Sequence, residues 1–282
     1  MDEIKIYEKF LGRKNNRDTS RKSLLRRILI LAVFVVALFG AYFALFQSSF
    51  TQINNVTVKA IRSDSKLSDN ETILVEDSVL KVASGKNIFL MPISEIEDAA
   101  YHASPYVQEV SVHKSFPRKL VLKISRREEA ISIASYSNCV VLDKFGYTLE
   151  YEKKDLAEDV SIEKIQKACS AFVKKYDLPV LYVKSLKAEF KLGKESTFYD
   201  ISKFVQLIGI LRASEYEPTQ IVWDKDEYTV TTKTEQKIIF SSLQDFEVQL
   251  KRFVVVADQI ISNDMEFVSL DLRYERPVLR RK

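Results

Sequence analysis

The sequence predicts an α+β protein on a membrane tether, and three observations carry that expectation. Residues 28–46 form an uncharged run of 19 residues, long enough to cross a bilayer as a helix. Residues 51–128 pack short strands and helices in the order β-α-α-β-β. From residue 129 onward, β-rich stretches are interleaved with amphipathic helices, which predicts a β-rich domain with packed helices.

Thirteen residues of the 28–46 run are Leu, Ile, Val or Phe. At about 1.5 Å per residue the run extends roughly 28 Å, close to the ~30 Å hydrocarbon core. It is too long for a signal-peptide core and lacks small residues at its exit, so it reads as an uncleaved anchor. The preceding residues 1–27 carry nine basic and four acidic side chains, a net of +5, and no basic residue follows the run until Lys59. The positive-inside rule then places 1–27 in the cytoplasm and 47–282 outside. Arg21, Lys22, Arg26 and Arg27 are the residues expected against anionic headgroups. The formal charge of the whole chain is +4, so the basic excess belongs to the tail, and no nucleic-acid partner is expected.

Beyond the anchor, Val56, Val58 and Ala60 alternate as a first strand. Residues 71–82 read as a short helix with Ile73, Leu74 and Leu80 apolar, ending before Gly85. Ser94 and Glu97 have capping-box spacing at the start of a second helix, which Pro105 ends. Val110 and Val112 alternate, Phe116-Pro117-Arg118 turns the chain, and Leu120, Leu122 and Ile124 alternate again. In residues 129–275, Ile131 and Ile133 begin the strands, and Asp143-Lys144-Phe145-Gly146 reads as a hairpin turn. Helices are expected at 161–176, 200–214 and 243–262, the last presenting Phe246, Leu250, Phe253, Val254, Ala257 and Ile261. Strands are expected near 220–223, 228–232 and 237–240, and a last one over 267–274 puts Val268, Leu270, Leu272 and Tyr274 on one face. Pro277 removes a strand donor and predicts an early end to that strand. Residues 276–282 read as a basic C-terminal tail.

Scarce residues exclude several chemistries. The six glycines are never closer than 16 positions, so no glycine-rich phosphate cradle is possible. Two histidines, His102 and His113, and two cysteines, Cys139 and Cys169, provide no zinc-ligand spacing. Neither a metal nor a cofactor is expected, and no small-molecule substrate. Cys139 falls in a strand pattern and Cys169 on an apolar helix face, which favours two buried thiols over a disulfide. Ser-x-x-Lys, a penicillin-binding-type signature, occurs four times, at Ser63, Ser78, Ser111 and Ser161. Only Ser161 with Lys164 sits at a helix start, and no Lys-Thr-Gly accompanies it. Ser161 therefore reads as an N-cap, and a membrane-anchored cell-wall acyltransferase is the alternative. Asp224-Lys225-Asp226 reads as a hairpin tip rather than a metal–nucleotide site. His102, His113 and Trp223 read as two surface residues and one core residue. No nucleophile, base and orienter come together, so the chain reads as a non-enzyme.

Several strings in order carry a resemblance. They are F-T-Q-I-N-N-V-T-V (50–58), G-K-N-I-F-L-M-P (85–92), S-P-Y-V-Q-E-V-S-V-H-K-S-F-P-R-K-L (104–120), S-R-R-E-E-A (125–130), V-L-D-K-F-G-Y-T-L (141–149) and V-S-L-D-L-R-Y (268–274). Behind a correctly oriented anchor, this order resembles the FtsQ/DivIB cell-division protein family, although 127–130 lacks the usual proline and 153–176 carries an unexpected charged stretch and helix. The resemblance implies a POTRA domain at 51–128, a β domain at 129–275, and a scaffold of the bacterial divisome at the septum. It implies binding of small bitopic partners of the FtsB/DivIC and FtsL kinds, and a role in coordinating septal peptidoglycan synthesis. The partner segment is expected to add a strand along Ser269, Leu270, Asp271, Leu272, Arg273 and Tyr274. Tyr274 is either its aromatic anchor or a cap on the apolar face, with Arg273 second. POTRA modules also serve in assembly and secretion proteins, but the charged helices after 160 argue against the barrel that this reading needs.

Overall fold

A computed structural model of the chain describes residues 26–46, 49–184, 186, 188–198 and 200–281. The expected tail, with Arg21 and Lys22, lies almost wholly outside the described residues. Arg26 and Arg27 open helix α1 (Arg26–Phe46), whose mean hydropathy is 2.8 and whose apolar window is entirely exposed. It is long and apolar enough to cross a membrane.

The body is mixed α+β. Its first unit contains β1 (Asn55–Ala60), α2 (Asp69–Ala83), α3 (Ile93–Ala103), β2 (Val107–Ser115) and β3 (Lys119–Arg126). The sheet order is β1-β3-β2, with β1 parallel and β2 antiparallel to the central β3. That centre buries Leu120, Leu122 and Ile124 under Val75, Val79 and Ala83 of α2 and Ile96, Ala99 and Ala100 of α3. Two local expectations fail here. Ile73 and Leu74 are exposed, because the buried stripe of α2 follows Val75 and Val79 instead. The capping box belongs to α2: Ser68 Oγ accepts from the Glu71 N–H, and the Glu71 carboxylate accepts from the Ser68 N–H. At α3 the cap position is Pro92, without a side-chain cap bond, and Ser94 already lies inside the helix. Proline's fixed φ starts the helix there.

The second sheet has nine strands in the order β12-β11-β10-β9-β8-β7-β4-β5-β6. Hairpins connect β4 (Glu129–Ala134), β5 (Asn138–Asp143) and β6 (Thr148–Lys153), and α4 (Ile162–Val173) crosses to β7 (Val180–Val183), parallel to β4. Helix α5 (Ile201–Ala213) crosses to β8 (Pro218–Asp224), which continues into β9 (Glu227–Thr232) and β10 (Lys237–Ser241). Helix α6 (Phe246–Ser262) leads to β11 (Phe267–Asp271), and β12 (Val278–Arg281) closes the order.

Alternation along the central strands shows why both faces are covered. Val140 and Leu142 of β5, with Leu181 and Val183 of β7, enter the core beneath α5 and α6. Cys139, Val180 and Tyr182 face α4, while Val141 and Leu149 join the core of the first unit. Strand β7 escapes a period-2 reading because all four of its residues are buried, as befits a strand covered on both faces. On α6 the buried positions include Gln249 and Ile260, while Val254 and Ile261 are exposed. The Gln249 side chain is buried because it acts as backbone: Oε1 accepts from the Ser241 N–H and Nε2 donates to the Ser241 carbonyl.

The cysteines require a correction. Cys139 of β5 and Cys169 of α4 form a disulfide, with Cα atoms 5.9 Å apart. Apolar positions in a strand and on a helix face are compatible with burial as thiols, and equally with the two faces meeting across the layer. The bond pins α4 to the sheet.

A second joint connects the two sheets. Arg127 follows β3 and is nine-tenths buried; its Nη1 donates to Asp143 Oδ2 at 2.8 Å and its Nε to the Val107 carbonyl at 3.2 Å. The guanidinium carbon lies 3.7 Å from the centre of the Tyr147 ring. Asp143 Oδ1 accepts from the N–H groups of Phe145 and Tyr147, which shapes the expected hairpin turn. Next to it, Arg126 spans Glu71 and Glu129, and Tyr106 donates its hydroxyl to Glu150. Burial first, then the Glu150 and Glu129 charges, push the Tyr106 phenol far above its ordinary value, so it stays a donor.

Two measurements follow from these joints. Arg127→Met leaves the Asp143 carboxylate buried without its cation, and urea unfolding of the variant should show a loss of about 3 kcal/mol. The disulfide closes a loop with a sequence separation of 30. Replacing both cysteines by alanine should cost about 3–4 kcal/mol by the chain-entropy relation, and thiol titration of the denatured, unreduced native chain should find no free thiol.

Candidate partner-docking edge

The expected final strand over 267–274 is shorter than its pattern. β11 stops at Asp271, and a bulge between Phe267 and Ser269 lets both Phe267 and Leu270 reach the core. The stop is local chemistry. Asp271 Oδ1 turns back to accept from the Arg273 N–H at 3.0 Å, an Asx-type bond that ends extended pairing. Leu272 is still buried, and its N–H donates to the Ile239 carbonyl at 2.8 Å.

The three residues after β11 are held on every carbonyl. Arg252 of α6 donates Nη1 to the carbonyls of Leu272, at 3.1 Å, and Tyr274, at 2.6 Å. Gln244 Nε2 donates to the Arg273 carbonyl between them. The Arg273 side chain closes the clasp: Nη2 reaches Asp271 Oδ2 and Nη1 reaches Glu227 Oε2, both at 2.6 Å. Burial works against the Asp271 carboxylate, but the hydrogen bonds and charge of Arg273 outweigh it and hold the carboxyl below its ordinary value. The bond to Asp271 in turn raises Arg273.

Tyr274 is 56% exposed, so it does not cap the apolar face of β11. Its ring centre lies 5.8 Å from the Arg273 guanidinium carbon.

A larger correction concerns the edge itself. Residues 276–282 were expected to be a tail, yet Val278–Arg281 form β12, antiparallel to β11, with Asp271 opposite Val278, Leu270 opposite Leu279 and Ser269 opposite Arg280. The outer side of β11 at Ser269, Leu270 and Asp271 is therefore already paired, and the carbonyls of Leu272, Arg273 and Tyr274 are taken. The open edge belongs to β12, whose second side pairs with no strand among the described residues. Sequence could not reveal this strand: it has four residues, directly follows Pro277, and half of it is arginine. Gln244 and Arg252 carried no signal either, since each acts on carbonyls 20 or more residues away.

Of the three other edge strands, β1 and β6 are guarded, and β2 likewise pairs on one side only among the described residues. On β1 the Val58 N–H donates to Glu76 Oε1 of α2. The β6 end forms bridges with Leu192 and Glu195, and its outer part carries Glu150, Glu152 and Lys153. Charged side chains on an edge oppose unplanned pairing.

Other expected positions fall as follows. Ser161 occupies the cap position of α4 without a side-chain cap bond. Asp224 and Asp226 lie at the β8–β9 hairpin, with Asp224 opposite Glu227 and Lys225 at φ 51°. His102 and His113 are exposed, and Trp223 packs half-buried against Phe204 and Tyr228. No protein-family model matches the chain, and no curated protein matches it.

The clasp has a pH signature. A carboxyl lowered in the folded state contributes stability above its unfolded pKa of about 3.9 and loses it as pH falls through the folded value. Arg273→Gln should lower the melting temperature at neutral pH by the equivalent of about 1 kcal/mol, within the range of a part-exposed ion network. The difference from the native chain should shrink as pH falls below roughly 4, read by calorimetry at stepped pH.

Proposed function

We propose that the chain is a non-catalytic, single-span scaffold of the bacterial divisome, similar to the FtsQ/DivIB family, which captures small bitopic division proteins outside the membrane. The observation that carries this reading is the β12 edge: an unpaired strand side beside an exposed tyrosine and a set of arginines. An extended partner segment gains backbone hydrogen bonds from such an edge and specificity from alternate side chains. Arg276, Arg280 and Arg281 are exposed around it, so the matching segment carries acidic residues flanking apolar ones. Tyr274 supplies an aromatic surface next to that edge.

Other features support the same reading. The apolar helix α1 follows a strongly basic segment, which favours the N-terminal side in the cytoplasm. The Cys139–Cys169 disulfide suits an oxidising, extracytoplasmic compartment. The β-α-α-β-β unit from β1 to β3 then serves as the POTRA-type recruitment module, with coordination of septal peptidoglycan synthesis as the downstream effect.

Capture assays with the full chain in nanodiscs test this. Tyr274→Ala and the pair Arg280→Glu with Arg281→Glu should each weaken binding of the partner ectodomains about tenfold, the weight of one anchor residue at an interface, while the circular dichroism spectrum stays native. Unchanged affinity in both would remove β12 and Tyr274 as the docking site.

A further inference from the structure

A second surface lies where α1 meets the body. Three aromatic side chains from separate segments converge there: Phe50, Phe89 and Phe116 are 55%, 48% and 57% exposed, and Leu90 beside them is 65% exposed. Their rings form a continuous chain with the end of α1. Phe46 lies 6.3 Å from Phe89, Phe89 lies 6.1 Å from Phe116, and Phe116 lies 5.7 Å from Phe50. Tyr42, one turn back along α1, packs tilted against Phe46, ring centres 4.9 Å apart.

Hydrogen bonds hold this arrangement. Asn87 Nδ2 donates to the carbonyls of Leu45 and Phe46, at 2.7 and 3.2 Å, and Thr51 Oγ1 also donates to that of Leu45, at 2.9 Å, so side chains from the body cap the C-terminal end of α1. The same amide accepts, through Oδ1, from the Phe89 N–H at 2.8 Å. Arg118 holds the other side, donating Nη2 to the Ser49 carbonyl and Nε to that of Phe50. These bonds hold the backbone at 45–46, 49–50 and 89, from which the rings of Phe46, Phe50 and Phe89 project. Exposed aromatic clusters of this kind mark interaction surfaces.

Continuity with α1 decides what covers this one. We infer that Phe50, Phe89, Leu90 and Phe116 insert into the outer interface of the same bilayer that α1 spans, so that the first unit lies against the lipid surface. Tyrosine rings at the end of a span, as at Tyr42, sit at headgroup level, and an apolar face of Phe and Leu buries roughly 5–10 Å into that boundary. In sequence Lys119 follows Phe116 by three residues, and Lys86, three residues before Phe89, is ion-paired with Glu95 at 2.9 Å. The inference rests on α1 being a membrane span and extends it from a tether to a docked domain.

Brominated-lipid quenching tests it on the full chain. In a Trp223→Phe background, single tryptophans replace Phe89, Phe116 or, as the comparison, the 76% exposed Leu243. The proteins are reconstituted into phosphatidylcholine–phosphatidylglycerol vesicles whose acyl chains carry bromine near the headgroup. Phe89→Trp and Phe116→Trp should each lose about half their emission, as expected for rings at interfacial depth, and Leu243→Trp should lose none. Alkaline carbonate extraction of the same vesicles reads the span separately. Retention in the pellet without quenching at 89 and 116 would overturn the docking and leave the span standing. Release into the supernatant would overturn both.

Discussion

One buried ion pair holds the molecule together as a single body. Arg127 and Asp143 meet where β3 hands the chain to the second sheet, and each is tied to backbone as well as to the other. Ionised groups this far from water are tolerated only where partners satisfy them. Here the partners come from three places: the start of β2, the β5–β6 turn and the Tyr147 ring. Val141 and Leu149 of β5 and β6 complete the core of the first unit beside this joint. The nine-stranded sheet then extends from that point, and the register of every later strand is counted from β4.

Much of this architecture was legible in the residues. The helix long and apolar enough to cross a membrane follows from an unbroken uncharged run, and the β-α-α-β-β order and the three long helices of the second unit follow from periods of 2 and 3.6 in the apolar pattern. Hairpin positions followed from turn chemistry: Asp143 to Gly146 and Asp224 to Asp226 behave as such residues should. The same periods failed where burial was not one-sided. Strand β7 shows no alternation because neither face meets water, and Val268 shows false alternation because a bulge shifts the register beside it.

The docking edge was harder to place, for a different physical reason. A strand pattern tells which residues are extended, but not whether a neighbouring stretch of the same chain has already taken their hydrogen bonds. Ser269, Leu270 and Asp271 read as available until β12 is seen opposite them. Cys139 and Cys169 pose the same problem, since pairing between distant segments leaves no periodic trace. Arg252 of α6 and Gln244 just before that helix complete the picture: long polar side chains that stand in for missing strand partners.

The order of the nine strands has a consequence for reach. β6, which contributes Leu149 to the core of the unit bonded to α1, is one end of the sheet, and β12 is the other. Eight strand spacings of about 4.8 Å separate them, so the two ends stand up to roughly 38 Å apart. The unpaired side of β12 and the core of the first unit are therefore held at opposite ends of one hydrogen-bonded sheet.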